Sequence, residues 1–240
     1  NDGKDTLAIY GRDSAANAEG GASDDLFLLR GMSDIVGETD ESPGFVALLH
    51  GTIDQARMAA GDAGYSRSAE VQRINYDINL NGRVTVYGQG GNDHFAVDDN
   101  AAIATLDGGQ GSDTFQIGQL FGEQRNETLG RLVQGDEFDT VGTTRGYLSR
   151  GTSMPLVATG GEGNDQFNVY SNQAELRLEG DAGNDEFVVR AFARAETVNG
   201  VIQRDASGVA VPLLGGGFST DATTNIRPGE GDDQVQYNVN

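Results

Sequence analysis

The apolar positions of this chain recur with period two in short runs. Val84/Val86, Ala104/Leu106, Leu156/Ala158 and Leu176/Leu178 precede Gly-rich gaps, and Phe95/Val97, Phe115/Ile117, Phe167/Val169, Phe187/Val189 and Val235/Tyr237 follow them. Alternation of this kind puts each pair on one face of a β-strand. The gaps repeat as well. GQGGNDHF (88–95), GGQGSDTF (108–115), GGEGNDQF (160–167), GDAGNDEF (180–187) and PGEGDDQV (228–235) align on Asp93, Asp113, Asp165, Asp185 and Asp233. Weaker copies surround Asp25 (GGASDDLF, 20–27), Asp5 and Asp139.

The aligned Asp residues set a period. Asp5 to Asp25, Asp93 to Asp113 and Asp165 to Asp185 are each 20 residues apart; Asp113 to Asp139 and Asp139 to Asp165 are 26; Asp185 to Asp233 is 48 and Asp25 to Asp93 is 68. Dividing the long spacings gives one unit per 20–26 residues, each reading strand, Gly-rich turn, strand, loop. A single unit cannot bury its apolar face, but stacked units can, with Phe on Phe and Val on Ile. The expected fold is therefore all-β: a parallel β-helix or β-roll-like solenoid, one domain over 1–240. Irregular insertions are expected near 31–75, 118–131 and 191–224, with Thr52–Ala60 as a short helix or irregular coil. Roughly ten units spaced ~4.8 Å apart make a rod about 45–50 Å long. An antiparallel sandwich accounts for the strands but not for a turn that returns in phase.

Composition narrows the function. Gly accounts for 36 of 240 residues and Pro for only 4, which calls for many tight turns rather than collagen or a linker. A net charge of -21 disfavours nucleic acid and anionic lipid and favours cations. Cys is absent, so no disulfide holds the fold, and no apolar run is long enough to cross a membrane as a helix. The opening residues show no Met or signal peptide, and both ends read as repeat text, as in a piece of a longer chain with exposed ends that associate end to end.

The turns are the candidate site. Gly aims backbone carbonyls at one point and Asp adds a carboxylate, an all-oxygen set that suits Ca²⁺. The candidate ligands are Asp93, Gly108, Gln110, Asp113, Gly160, Glu162, Asp165, Gly180, Asp185, Asp25 and Asp233. In-register stacking puts Asp93 beside Asp113 and Asp165 beside Asp185. Two carboxylates about 5 Å apart repel by roughly 3 kcal/mol at an effective dielectric near 20, which a cation reverses. The same turn also serves as a tight turn alone, its Asn and Asp side chains holding backbone N–H groups.

The stretches 108–116 and 160–168 match G-G-x-G-x-D-x-U-x throughout (U apolar) and resemble the repeats-in-toxin, haemolysin-type calcium-binding repeats. Divergent copies lie at 20–28, 88–96, 180–188 and 228–236. The resemblance implies a calcium-stabilised repeat segment of a large secreted bacterial surface protein or adhesin. Its partners are then calcium ions, neighbouring repeats, and cell-surface glycans or another surface protein. The motifs here are spaced by 20 or more residues, whereas the family repeats them in tandem.

Catalytic signals are sparse. There are two His, His50 and His94, no Cys, and no G-x-S-x-G or phosphate loop. The alternative is a carbohydrate-binding or carbohydrate-active β-helix (lyase, hydrolase or epimerase) drawing on Asp77, Arg83, Asp98, Asp99, Asp107 and Arg177, with tyrosines as a sugar-stacking strip. The reading preferred is not an enzyme.

Overall fold

The computed structural model describes residues 3–12, 24–31, 44–50, 71–77, 79–125 and 138–239. These residues are all-β, with no helix among them. One six-stranded sheet runs β1 (Leu7–Tyr10), β5 (Arg83–Tyr87), β7 (Ile103–Gln110), β12 (Leu156–Glu162), β14 (Leu176–Ala182), β18 (Thr224–Arg227). Every neighbouring pair in it is parallel. An eight-stranded sheet runs β19 (Gln234–Val239), β15 (Glu186–Ala191), β13 (Gln166–Val169), β8 (Thr114–Ile117), β6 (His94–Val97), β2 (Asp25–Gly31), β3 (Gly44–His50), β4 (Val71–Tyr76). It is parallel from β19 to β2, and antiparallel only where β3 and β4 are added.

The chain alternates between the two sheets. β5 leads through the turn 88–93 to β6, β7 to β8, β12 to β13, β14 to β15, and β18 to β19. Inward side chains then stack in columns. Val84, Ala104, Leu156 and Leu176 are in register, as are Ile9, Val86, Leu106, Ala158, Leu178 and Ile226. Opposite them stand Phe27, Phe95, Phe115, Phe167 and Phe187, all fully buried, with neighbouring rings 4.6–4.9 Å apart and 4–12° from parallel. That separation is the strand spacing itself, so backbone pairing dictates the stack. Each buried Phe contributes roughly 1.5–3 kcal/mol. The two sets of columns form one core.

The repeat is longer and sparser than the Asp spacings suggest. β8 pairs directly with β13, so the 52 residues from Asp113 to Asp165 are one level with an insertion, not two units of 26. Likewise β15 pairs directly with β19, and β2 with β6, so the spacings of 48 and 68 are single levels too. Among the described residues Asp25, Asp93, Asp113, Asp165, Asp185 and Asp233 thus mark six levels, where the spacings suggest about ten.

Asp139 is no turn Asp. It sits beside β10 (Thr140–Thr143), which joins β11 (Gly146–Ser149) and β9 (Leu120–Phe121) in a small antiparallel sheet, and Arg150 Nη2 donates to it at 2.9 Å. Asp5 precedes β1 instead of following it. The insertions run wider than expected after β8, reaching almost to β12, while 192–223 carries the hairpin of β16 (Thr197–Val198) and β17 (Val201–Ile202). The helix expected at Thr52–Ala60 and the turn residues 20–23 lie outside the described residues.

Candidate functional site

The turn aspartates form a hydrogen-bonded ladder. Asp25 N–H donates to Asp93 Oδ1 (2.7 Å), Asp93 N–H to Asp113 Oδ1 (2.7 Å), Asp113 N–H to Asp165 Oδ1 (2.7 Å), Asp165 N–H to Asp185 Oδ1 (2.8 Å), and Asp185 N–H to Asp233 Oδ1 (2.9 Å). Each carboxylate takes the backbone proton of the level before it.

A second ladder runs the opposite way one residue earlier. Asn92 N–H donates to Asp24 Oδ1, Ser112 N–H to Asn92 Oδ1, Asn164 N–H to Ser112 Oγ, Asn184 N–H to Asn164 Oδ1 and Asp232 N–H to Asn184 Oδ1, at 2.7–3.1 Å. Only a short side chain with an acceptor oxygen reaches, which is why Asp24, Asn92, Ser112, Asn164, Asn184 and Asp232 fill this position. The nine-residue motif treats the position as variable and so misses this ladder. The restriction to Asn, Asp and Ser in the aligned turns is the signal that marks it.

Two glycine positions are fixed by close approach. A Cβ on Gly183 would lie 1.5 Å from Gly163 O, and one on Gly163 1.9 Å from Gly111 O. A Cβ on Gly108 would lie 2.1 Å from Asp113 Oδ2 and 2.6 Å from Gly160 O. The corresponding distances at Gly88 are 2.2 Å to Asp93 Oδ2 and 2.6 Å to Gly108 O, and at Gly160 2.0 Å to Asp165 Oδ2 and 2.8 Å to Gly180 O. At Gly180 they are 2.1 Å to Asp185 Oδ2 and 2.2 Å to Pro228 O. In each turn, then, a carboxylate oxygen and a carbonyl from the next level converge on the space where a Cβ is missing.

That second oxygen has no hydrogen-bond partner. Oδ2 of Asp93, Asp113, Asp165 and Asp185 is buried and unsatisfied. An ionised oxygen in that position is costly. Burial, then neighbouring carboxylates, push Asp93 up to about 8, against the pull of the Asp25 N–H. The same causes push Asp113 up to about 7 and Asp165 up to about 6, and they raise Asp185. An oxygen pair with no donor between is satisfied by a proton on the carboxyl or by a cation. The donors fit a hard cation. Among the described residues no group of three or more acidic or histidine side chains gathers as a metal site, so a cation there relies on one carboxylate per turn and on backbone carbonyls.

The other candidate ligands are placed differently. Gln110 and Glu162 have exposed side chains, and their carbonyls accept Gly91 N–H (3.0 Å) and Gly111 N–H (2.8 Å). Asp25 Oδ2 accepts Arg12 N–H (2.6 Å) and Oδ1 accepts Arg12 Nε–H (3.0 Å), so an arginine serves the first level. Asp233 is only partly buried.

Of the residues expected to carry carbohydrate chemistry, three share one sheet face and three lie elsewhere. Arg83, Asp107 and Arg177 lie on the outer face of the six-stranded sheet, where Arg83 donates to Thr105 Oγ1 (2.5 Å) and Arg177 to Glu179. Asp77 sits in a loop, where Asp77 Oδ1 accepts Asn79 N–H at 2.8 Å. Asp98 is buried at the far end of the strands and paired with Arg30 at 2.8 Å, burial still raising its pKa; Asp99 adjoins it. Of the tyrosines, Tyr10 and Tyr87 stack on each other 4.9 Å apart. His94 is half-buried rather than solvent-facing, and burial lowers its pKa.

No protein-family model matches the chain, and neither the curated proteins nor the solved structures contain a match.

Proposed function

We propose that the alternation between the two parallel sheets closes into a β-solenoid, one turn of the Gly/Asp type per coil, and that calcium stabilises it. On this reading the chain is a structural or adhesive repeat segment of the repeats-in-toxin kind, from a large protein secreted to a bacterial cell surface. The observation that carries it is the column of buried Oδ2 atoms on Asp93, Asp113, Asp165 and Asp185, each facing a carbonyl of the next level without a donor. Asp93 with Gly108, Asp113 with Gly160, Asp165 with Gly180 and Asp185 with Pro228 would hold the ions. Ca²⁺ accepts six to eight oxygen ligands including water, so a partial protein set is compatible with it. The ion supplies positive charge to carboxylates that otherwise repel along the stack, and so couples metal to folding. A net charge of -21 concentrates cations around the chain.

A second reading has its own support. The upward shifts of Asp93 and Asp113 favour protons on Oδ2, making the turns structural without metal. Calorimetric titration with CaCl2, with MgCl2 as comparison, separates the two. Saturable calcium heat whose stoichiometry falls in Asp165→Asn supports calcium; none in the wild-type chain at pH 8 leaves the proton reading.

A further inference from the structure

We propose that the face formed by β18 and β19 is a docking surface for one more strand–turn–strand coil of the same type, whose turn Asp carboxylate accepts the backbone N–H of Asp233. The proposal rests on the solenoid reading but not on calcium.

Among the described residues β18 and β19 end their sheets, pairing only with β14 and β15. Their inward positions continue the core columns, Ile226 after Leu178, Val235 after Phe187 and Tyr237 after Val189. Val235 is 55% exposed and Tyr237 62%, whereas Phe187 and Val189 one level below are 0% and 4%. A shallow cleft lined by Val189, Thr224, Ile226, Val235 and Tyr237 opens between the two strands.

The polar pattern identifies the occupant. At the five preceding levels the turn Asp donates its N–H to an Asp carboxylate of the following level. Asp233 accepts from Asp185, but among the described residues its own N–H has no acceptor. The missing group is therefore a carboxylate at the position where the repeat puts one. The same logic sets the incoming turn: a Cβ on Gly231 would lie 1.7 Å from Gly183 O, so a coil on Gly231 needs Gly at the matching position.

The opposite face of the stack does not supply this coil. There the Asp25 carboxylate is engaged by Arg12, and β3 and β4 cover the outer edge of β2. A second copy stacked head to tail thus offers no free turn carboxylate, so the occupant is a coil with its turn Asp free. In tail-to-tail copies Asp233 Oδ1 is already taken by Asp185 N–H of its own stack.

The test repeats residues 172–191 directly after Val239, which sets the added turn Asp 20 residues beyond Asp233, the spacing of Asp165 and Asp185. Amide exchange of Asp233 is followed by NMR in EDTA. The proposal expects slowing of about tenfold or more, together with a higher melting midpoint. It also expects Asp185→Ala in the added copy to restore fast exchange. Unchanged Asp233 exchange in the extended chain overturns docking, and slowing that survives Asp185→Ala overturns the carboxylate as the docking group. Because the bond needs no metal, the result is independent of the calcium titration.

Discussion

Asp113 donates its backbone N–H to Oδ1 of Asp165, 2.7 Å away, although the two are 52 positions apart in the chain. Asp165 donates its own N–H onward to Asp185 Oδ1, while its unpartnered Oδ2 and the carbonyl of Gly180 both lie close to the space where Gly160 lacks a Cβ. This arrangement separates the effects of two substitutions. Asp165→Ala leaves the buried Asp113 N–H without an acceptor, and the expected loss is about 1–3 kcal/mol. Asp165→Asn keeps an oxygen for that N–H and places an amide donor against the Gly180 carbonyl. In EDTA the Asn variant should melt within a few degrees of the wild type and the Ala variant well below both, as read by circular dichroism.

The raised carboxyl pKa values fix the sign of a pH dependence. Asp93, Asp113 and Asp165 sit at about 8, 7 and 6 in the folded protein, above the ordinary carboxyl value of 3.8. Between pH 4 and 8 the folded chain therefore holds more protons than the unfolded one, and stability falls as pH rises. In EDTA the melting midpoint should drop steadily from pH 5 to pH 8. A midpoint that rises over that range contradicts the buried, donor-less environment assigned to Oδ2.

Two turns carry a side chain where the others have Gly. Gln89 and Asp181 have φ of 76° and 68°, while Gly109, Gly161 and Gly229 at the same position have 97°, 107° and 106°. A left-handed conformation costs a side chain roughly 1–2 kcal/mol, partly offset by the looser unfolded chain that Gly brings. Asp181 also adds repulsion to Asp107, Asp165 and Asp185. Asp181→Gly is expected to stabilise the metal-free chain by up to about 1 kcal/mol. Gln89→Gly should gain less, since Gln89 Nε2 donates to Gly11 O at 2.5 Å. Urea unfolding at neutral pH measures both.

Gly183 tests the close approach of the turns. Its absent Cβ would stand 1.5 Å from Gly163 O, and its φ of 138° suits no L side chain. Gly183→Ala should cost at least about 3 kcal/mol, enough to leave much of the chain unfolded at 37 °C. Gly3→Ala, with nothing near, should leave the urea midpoint unchanged.

The sequence shows the core columns plainly, because the period-two pairs beside each turn are short, regular and rich in Phe. The Asp column is equally visible, since each buried Asp ends a closely similar Gly pattern. The number of levels is not. Spacings of 52, 48 and 68 divide neatly by the period, and nothing in composition shows that Asp139 belongs to an antiparallel insertion. The Arg12–Asp25 contact lies equally beyond reach, as it joins residues in a turn that departs from the motif. So does the anchoring of the far side of the stack, where Asn100 bonds Ala102 O and Met154 O and Asn172 bonds Ala174 O and Ala222 O. Two asparagines 72 positions apart make no pattern.

Thermal unfolding across a calcium titration at pH 8, starting from EDTA, is the decisive measurement for calcium in the turns. A cation that binds only the folded turns raises the melting midpoint with each increase in free Ca²⁺. Asp113→Asn combined with Asp165→Asn should weaken that response, with an EDTA midpoint at or above the wild type's, because the amides carry no buried charge at pH 8. A wild-type midpoint that stays the same from EDTA to millimolar calcium contradicts calcium stabilisation and leaves protons as what satisfies the buried aspartates.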